Sequence, residues 1–255
     1  MSALSHDVGG EGRPVLLLHA GVADRRMWGG VASGLMAAGY RVIAPDLPGF
    51  GETAMPSGPF SHTDLVLGLQ VELGAVPAVV VGNSFGSLVA LHLAIAHPDA
   101  VGCLVLISTP SDTREPSETL RAFWEEEERL LEAGDVEGAT ELNLAMWMRD
   151  GRESDADLVR DMQRRAFELQ AQGVALEPPA QSQWPDSATA RPGSIGARTL
   201  VVTGDRDVED FAAIGDELAA EIPGARRVRI ATGGHLLPLE QPAVVVGLIL
   251  DHIGR

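Results

Sequence analysis

Val79-Val80-Val81-Gly82-Asn83-Ser84-Phe85-Gly86-Ser87 runs directly into Leu88-Val89-Ala90-Leu91-His92-Leu93-Ala94. Ala78–Val81 is an apolar run that reads as a buried strand, and the second stretch reads as a helix. Between them stands Gly-x-Ser-x-Gly. The five-residue pattern alone is weak: a chain with 29 glycines supplies about 0.2 such matches by chance. The strand before it and the helix after it give it meaning. Glycine on both sides lets the backbone turn sharply, so that the serine Oγ stands out of the sheet. The helix N-terminus adds free N–H donors and the positive end of a dipole beside it. Ser84 is therefore the candidate nucleophile.

A serine nucleophile needs a histidine base, and the base needs a carboxylate to fix its tautomer. Downstream, the apolar run Thr199–Thr203 ends in Gly204-Asp205-Arg206-Asp207. The short run Arg227–Ile230 leads into Ala231-Thr232-Gly233-Gly234-His235. Both loops follow strand C-termini, and in an open parallel sheet such loops share one edge with the serine turn. Asp205 and Asp207 both qualify as the acid at this point. Asp112, after the strand Cys103–Ser108, reads as a loop-capping residue.

On these residues the chain resembles an α/β-hydrolase, which has the same order of Ser, Asp and His. It is most similar to lid-bearing esterases, lactonases and C–C hydrolases such as 3-oxoadipate enol-lactonase. His19-Ala20-Gly21, Trp28, Asp46-Leu47-Pro48-Gly49-Phe50-Gly51 and Gly234-His235-Leu236-Leu237-Pro238-Leu239-Glu240-Gln241-Pro242 carry the rest of the likeness. The resemblance implies a mostly parallel sheet covered by helices on both faces. The core spans 1–110 and 197–255, and 111–196 forms a helical lid. It selects Asp207, three residues after Gly204, as the acid and leaves Asp205 as a turn residue. It assigns the oxyanion donors to the backbone of Gly21 and Phe85, and gives His19 a structural role beside them. Two departures stand out. Only about fourteen residues precede Val15, so the family's first strand is expected to be missing and the second short. Ala20 replaces a glycine.

The remaining segments fit that layout. Strands are expected at Val15–His19, Arg41–Pro45, Ala78–Val81, Cys103–Ser108, Thr199–Thr203 and Arg227–Ile230. Helices are expected at about 28–38, 61–73, 87–97, 210–222 and 242–253, with Ser61 and Asp64 as a capping pair. In the insert, Ser117–Ala133, Asp135–Arg149 and Asp155–Gln172 read as helices. Ser154 caps the third, whose apolar face carries Leu158, Met162, Ala166 and Leu169. A Pro-rich return with Pro178, Pro179, Pro185 and Pro192 completes the insert. Trp124, Trp147 and Trp184 lie in this insert, and Met146 and Met148 flank Trp147. Val22, Trp124, Met146, Trp147 and Leu236 are the expected pocket residues. Glu125–Glu128 reads as a solvated helix face, and Arg25 and Arg26 as solvent-facing residues at a helix start. His62, His92 and His97 read as surface or packing residues.

Composition narrows the partners. A net charge of −17 disfavours nucleic acid and anionic membranes. All 19 basic residues are arginine, so mechanisms that need lysine are closed. One cysteine, Cys103, makes no internal disulfide and reads as a buried small hydrophobe. No run of 18 apolar residues or signal-peptide pattern is present, and a cytoplasmic protein is expected. No ligand spacing suggests a metal and no glycine-rich loop a nucleotide, so no cofactor is expected. The expected reaction is hydrolysis of a small, neutral or apolar ester or lactone. A thioester, a prolyl amide, a C–C diketone and cofactor-free haloperoxidation use the same triad. A slow-turnover signal receptor is the reading from another class.

Overall fold

The computed structural model describes residues 4–148, 153–184 and 191–254, except for the side chains of Glu153 and Ser154. Arg149, Pro185 and the Ser154 cap expected from sequence lie outside the described residues. Seven strands form one twisted sheet in the order β1(His6–Gly9), β3(Arg41–Pro45), β2(Pro14–Leu18), β5(Ala78–Asn83), β6(Val101–Ile107), β8(Thr199–Gly204), β9(Arg226–Ile230). All neighbours from β3 to β9 are parallel, with pairs such as Leu16↔Val80, Val80↔Leu104 and Val202↔Val228. Only β1 runs antiparallel, pairing His6 with Pro45 and Gly9 with Val42. It is the one strand before β2 among the described residues.

Successive residues of the central strands feed two cores, which is why these runs are apolar at every position. Val15, Leu17, Val79, Val81 and Val202 face α1(Gly29–Ala37) and α9(Pro242–Gly254), where Val31, Leu35, Val245 and Ile249 close the layer. Leu16, Leu18, Val80, Leu104 and Val201 face α2(His62–Glu72), α3(Phe85–Ala96) and α7(Glu209–Glu221), through Leu69, Val89 and Leu218. Ser61 Oγ accepts from the N–H of Asp64 at 3.2 Å, the cap expected at the start of α2. Cys103 is buried.

Between β6 and β8 the chain makes α4(Glu118–Glu132), α5(Val136–Trp147) and α6(Glu153–Val174), which pack side by side. Ser117 and Asp135 cap the first two, accepting from the N–H groups of Leu120 and Gly138. Met162, Ala166 and Leu169 are buried on α6 as expected. Val159 is fully buried and Leu158 only half, so the face is turned by one residue. Sequence reading missed a two-residue pairing of β4(Pro59–Phe60) with β7(Gln181–Ser182), which ties the return segment to the core. Pairs this short carry no periodicity. Among the described residues, no helix is long and apolar enough to cross a membrane.

Burial of neutral histidines is expected to make the fold sensitive to acid. Desolvation lowers the pKa of His19, His62, His92 and His252, in the case of His62 to about 4. His62 packs against Phe60, Phe85 and Trp184, and its Nδ1 has no partner among the described residues. An imidazole held neutral in the fold but free to charge when unfolded stabilises fully above pH 6.5. That stability is lost as pH falls from 6.5 towards the folded value. Linkage over this window gives about 2 kcal/mol from His62 alone between pH 7.5 and pH 5. Urea unfolding at the two pH values should show at least that loss, and His62→Phe should flatten the dependence. An equal slope in the variant would remove His62 from the account.

Candidate active site

The turn between β5 and α3 holds Ser84 at φ 51°, ψ −118°, a conformation that side-chain-bearing residues rarely adopt. Its neighbours explain how. A Cβ at Gly82 would fall on the backbone of Gly86 and Ser87, and one at Gly86 on the carbonyls of Leu18 and His19. Only glycine lets the elbow close on itself and on the end of β2. The Ser84 N–H donates to Ile107 O at 2.8 Å, and the Gly86 N–H to His19 O at 3.0 Å, so both neighbouring strands fix it.

His235 follows β9, and Asp207 follows β8. His235 Nδ1 lies 2.9 Å from Asp207 Oδ2 and 3.0 Å from Oδ1, and both side chains are buried, at 4% and 1% exposure. The Val208 N–H donates to Asp207 Oδ1 at 2.8 Å, which fixes the carboxylate plane. The imidazole packs against two rings, 4.4 Å from Trp147 and 4.6 Å from Phe211. Its loop is held by two residues that sequence reading gave no role. Asn83 Nδ2 donates to His235 O at 3.2 Å, linking the histidine loop to the elbow. Glu240, on α8(Leu237–Glu240), accepts from the N–H groups of Gly234 at 2.6 Å and Leu236 at 3.1 Å, bracketing His235. Burial pushes the Glu240 carboxyl up from its ordinary range, against these two hydrogen bonds. Asn83 occupies a variable position of the Gly-x-Ser-x-Gly pattern, and Glu240 lies five residues past the histidine, so neither spacing identifies them.

Asp205 turns outward and pairs with Arg229 at 2.7 Å. Asp112 sits 3.6 Å from His92, which is buried against Trp184. The expectation that Asp205 is a turn residue and His92 a packing residue agrees with these positions.

Gly21 and Phe85 stand together: a Cβ at Gly21 would be 3.4 Å from Phe85 Cβ. His19 shapes that loop. Its Nδ1–H donates to Ala20 O at 2.8 Å and its Nε2 accepts from the Leu47 N–H at 2.9 Å, fixing a neutral tautomer. Arg25 is not solvent-facing as expected. Its side chain is 15% exposed and pairs with Asp46, Glu52 and Asp7, because the buried Asp46 carboxylate needs a cation. Arg26 pairs with Asp24 and Asp161.

A cavity of about 200 Å³ is lined by Gly21, Val22, Ser84, Trp147 and His235, with Trp124 and Glu127 from α4. A second, of about 170 Å³, also reaches Ser84 and extends past Trp124 and Trp147 to Leu120, Phe211 and Ile214. Val22, Trp124 and Trp147 thus line these spaces as expected. Met146 and Leu236 do not. Met146 is one residue, and so about 100° of helix rotation, away from Trp147, and packs on the core beside it. Leu236 is fully buried in the core. Glu127 corrects the expectation of a solvated glutamate run: it faces the cavity, and burial raises its pKa. The signal was available in the spacing: Glu127 stands four residues after Phe123 and seven after Leu120, both buried, on the inward stripe of the same helix. No group of three or more His, Cys, Asp or Glu among the described residues is placed to hold a metal ion.

A family model for the alpha/beta hydrolase fold matches residues 13–242. The chain belongs to the α/β-hydrolase family. It is 30% identical to the pimeloyl-[acyl-carrier protein] methyl ester esterase of Chromobacterium violaceum, over 96% of this chain and 95% of that one. Epoxide hydrolase 2 of Siraitia grosvenorii is 35% identical over 163 residues, 56% of this chain; the chain spans only 51% of that relative's length. A solved thermophilic esterase from Thermogutta terrifontis superposes with a TM-score of 0.79 at 28% identity, covering 98% of this chain and 93% of that one.

Proposed function

We propose that the protein is a serine hydrolase that cleaves a small ester or lactone through an acyl-enzyme. One observation carries the reading: Ser84, on a strained elbow, lines the same cavity as a buried His235 whose Nδ1 is bound to Asp207. Ser84 Oγ attacks a carbonyl carbon, and His235 Nε2 takes its proton. Asp207 holds the tautomer and stabilises the imidazolium. The N–H groups of Gly21 and Phe85 hold the oxyanion, at ~3 kcal/mol per donor. His235 then protonates the leaving alcohol, and water attacks the acyl-enzyme with His235 as base. A serine also discriminates against the epoxide chemistry named for one relative. Opening an epoxide with Oγ leaves an alkyl ether, which has no carbonyl for water to attack. The acyl ester does have one. No cofactor enters these steps, and the lone buried cysteine suits a cytoplasmic protein.

Residues 111–196 act as the lid in this reading. Trp124 is 48% exposed yet lines both cavities, so it contributes wall without much core. Trp124→Ala is expected to raise KM for bulky esters several-fold, to leave acetate ester hydrolysis nearly unchanged, and to shift the melting temperature little. Trp147→Ala should lower kcat on both, since Trp147 packs against His235 at a tilt. Parallel assays on a methyl-branched and an acetate ester would separate the two. Equal effects of Trp124→Ala on both esters would assign that residue to packing.

A fluorophosphonate probe tests the mechanism directly. Peptide mass spectrometry should find it on Ser84 alone. Labelling of another serine, or none with several small probes, would remove the acyl-enzyme reading. A screen of esters and lactones should then show many turnovers per molecule. A single turnover on all of them would favour a receptor.

A further inference from the structure

The two cavities that meet at Ser84 differ in chemistry, and the roles assigned to them rest on Ser84 being the nucleophile of a serine hydrolase. One is walled mainly by Pro110, Leu120, Trp124, Phe211 and Ile214, with Arg114 and Asp210 also on its lining. Arg114 is paired with Glu217, and Asp210 Oδ1 accepts from the Ser117 N–H at 2.8 Å while its Oδ2 has no partner among the described residues. The other contains His235, and on the insert side Glu127, Asn143, Gln163 and Gln170 line it beside Phe123 and Phe167. We propose that Glu127 and Gln163 form a polar subsite that binds a hydroxyl-bearing leaving alcohol, so that the preferred substrate is an ester of an apolar acid with a polyol.

Hydrogen-bond accounting sets the chemistry of the subsite. Asn143 Nδ2 donates to Glu127 Oε1 at 2.5 Å and to Ala139 O at 2.9 Å, and Asn143 Oδ1 accepts from Trp147 Nε1 at 3.1 Å. Both amide protons of Asn143 are thus engaged inside the insert, leaving none for a ligand. Gln163 is 3% exposed, and its Oε1 has no partner among the described residues. A buried polar atom without a partner costs free energy that a ligand donor relieves. Glu127 is half-buried with Asn143 as its neutral partner, and no arginine side chain lines this cavity. The subsite thus offers a ligand the Glu127 carboxylate and the amides of Gln163 and Gln170, acceptors and donors that hydroxyl groups, which both donate and accept, can match.

Reaction geometry says which part of the substrate sits there. His235 must reach the departing oxygen to protonate it. The cavity that contains His235 is the one with Glu127 and Gln163. The leaving alcohol lies on that side, and the acyl chain takes the apolar cavity beside Leu120 and Phe211. Glu127 and Gln163 thus face the alcohol portion of the ester.

Glycerol 1-monobutyrate and propyl butyrate share an acyl chain and nearly share a leaving-group shape, and differ by two hydroxyls. The purified protein should show kcat/KM at least about tenfold higher for the monobutyrate, one satisfied hydrogen bond of about 1.4 kcal/mol. Gln163→Leu and Glu127→Leu should each bring that ratio towards one, chiefly through the monobutyrate's KM. If these variants do not fold, product inhibition of the unmodified protein gives an independent measure: glycerol should inhibit hydrolysis of p-nitrophenyl butyrate at concentrations several-fold below propanol. A ratio near one in the unmodified protein, or a preference that survives both substitutions, would overturn the subsite. If Ser84 still takes the fluorophosphonate, the hydrolase reading stands and only the subsite fails. If neither ester turns over and Ser84 is not labelled, both fail together.

Discussion

Ser84→Ala is expected to reduce kcat on any ester substrate by up to ~10⁶-fold, the scale seen when the serine of a triad is removed. The structure makes this a clean experiment, because the substitution deletes little besides Oγ. The Ser84 N–H bond to Ile107 O survives, and so does the strained backbone at φ 51°, since alanine keeps the Cβ that causes the strain. Stability should therefore stay within about 0.5 kcal/mol of the starting protein. Ser84→Gly provides the control. It is equally dead, but it removes the conformational strain, worth on the order of 1–3 kcal/mol, against about 1 kcal/mol for the extra freedom of glycine in the unfolded chain. The glycine variant should unfold at a denaturant concentration no lower than the alanine variant. Thermal or urea unfolding beside steady-state assays reads both quantities. Substantial activity in Ser84→Ala would end the nucleophile assignment. A glycine variant clearly less stable than the alanine variant would show that the elbow is not strained.

Much of this site is legible in the sequence because of where its residues stand. Gly82, Ser84 and Gly86 are fixed by backbone geometry: a Cβ at Gly82 meets the elbow's own main chain and one at Gly86 meets the end of β2, so the pattern must appear in the primary structure. Asp207 and His235 come after strands that pair in one parallel sheet, and such a sheet brings those strand ends together whatever the intervening loops do. The contacts that sequence reading missed have no such local signature. Glu240 binds the Gly234 and Leu236 N–H groups from a four-residue helix, and Asn83 reaches across to His235 O. Glu127 is the exception: it sits among three other glutamates, but its place four residues after the buried Phe123 turns it inward, and the packing of α4 on α5 sets it beside Asn143. Arg25 is drawn inward by the buried Asp46, a tertiary contact between residues 21 apart. At such positions side-chain identity sets the chemistry and the fold alone sets the direction.

The acid of the triad supplies the second large effect. Asp207→Asn is expected to lower kcat by ~10⁴-fold, as the corresponding change does in serine proteases. Here the neighbouring groups say why. Asp207 Oδ1 already accepts from the Val208 N–H at 2.8 Å, and His235 Nδ1 lies 2.9 Å from Oδ2. An asparagine in this pocket keeps its carbonyl oxygen on the Val208 N–H and presents its NH₂ to Nδ1. Nδ1 then becomes the acceptor, the ring proton moves to Nε2, and the base that should deprotonate Ser84 carries a proton instead. The histidine stays in place against Trp147 and Phe211, so binding and stability change far less than kcat. Asp205→Asn removes only an exposed, solvent-screened pair with Arg229 at 2.7 Å and should leave kcat within about threefold. Steady-state kinetics on one ester for the two variants decides between the aspartates, and a larger loss at Asp205 would transfer the role. The loss at Asp207 should appear in kcat with KM nearly constant, because the carboxylate reaches the substrate only through the imidazole it orients.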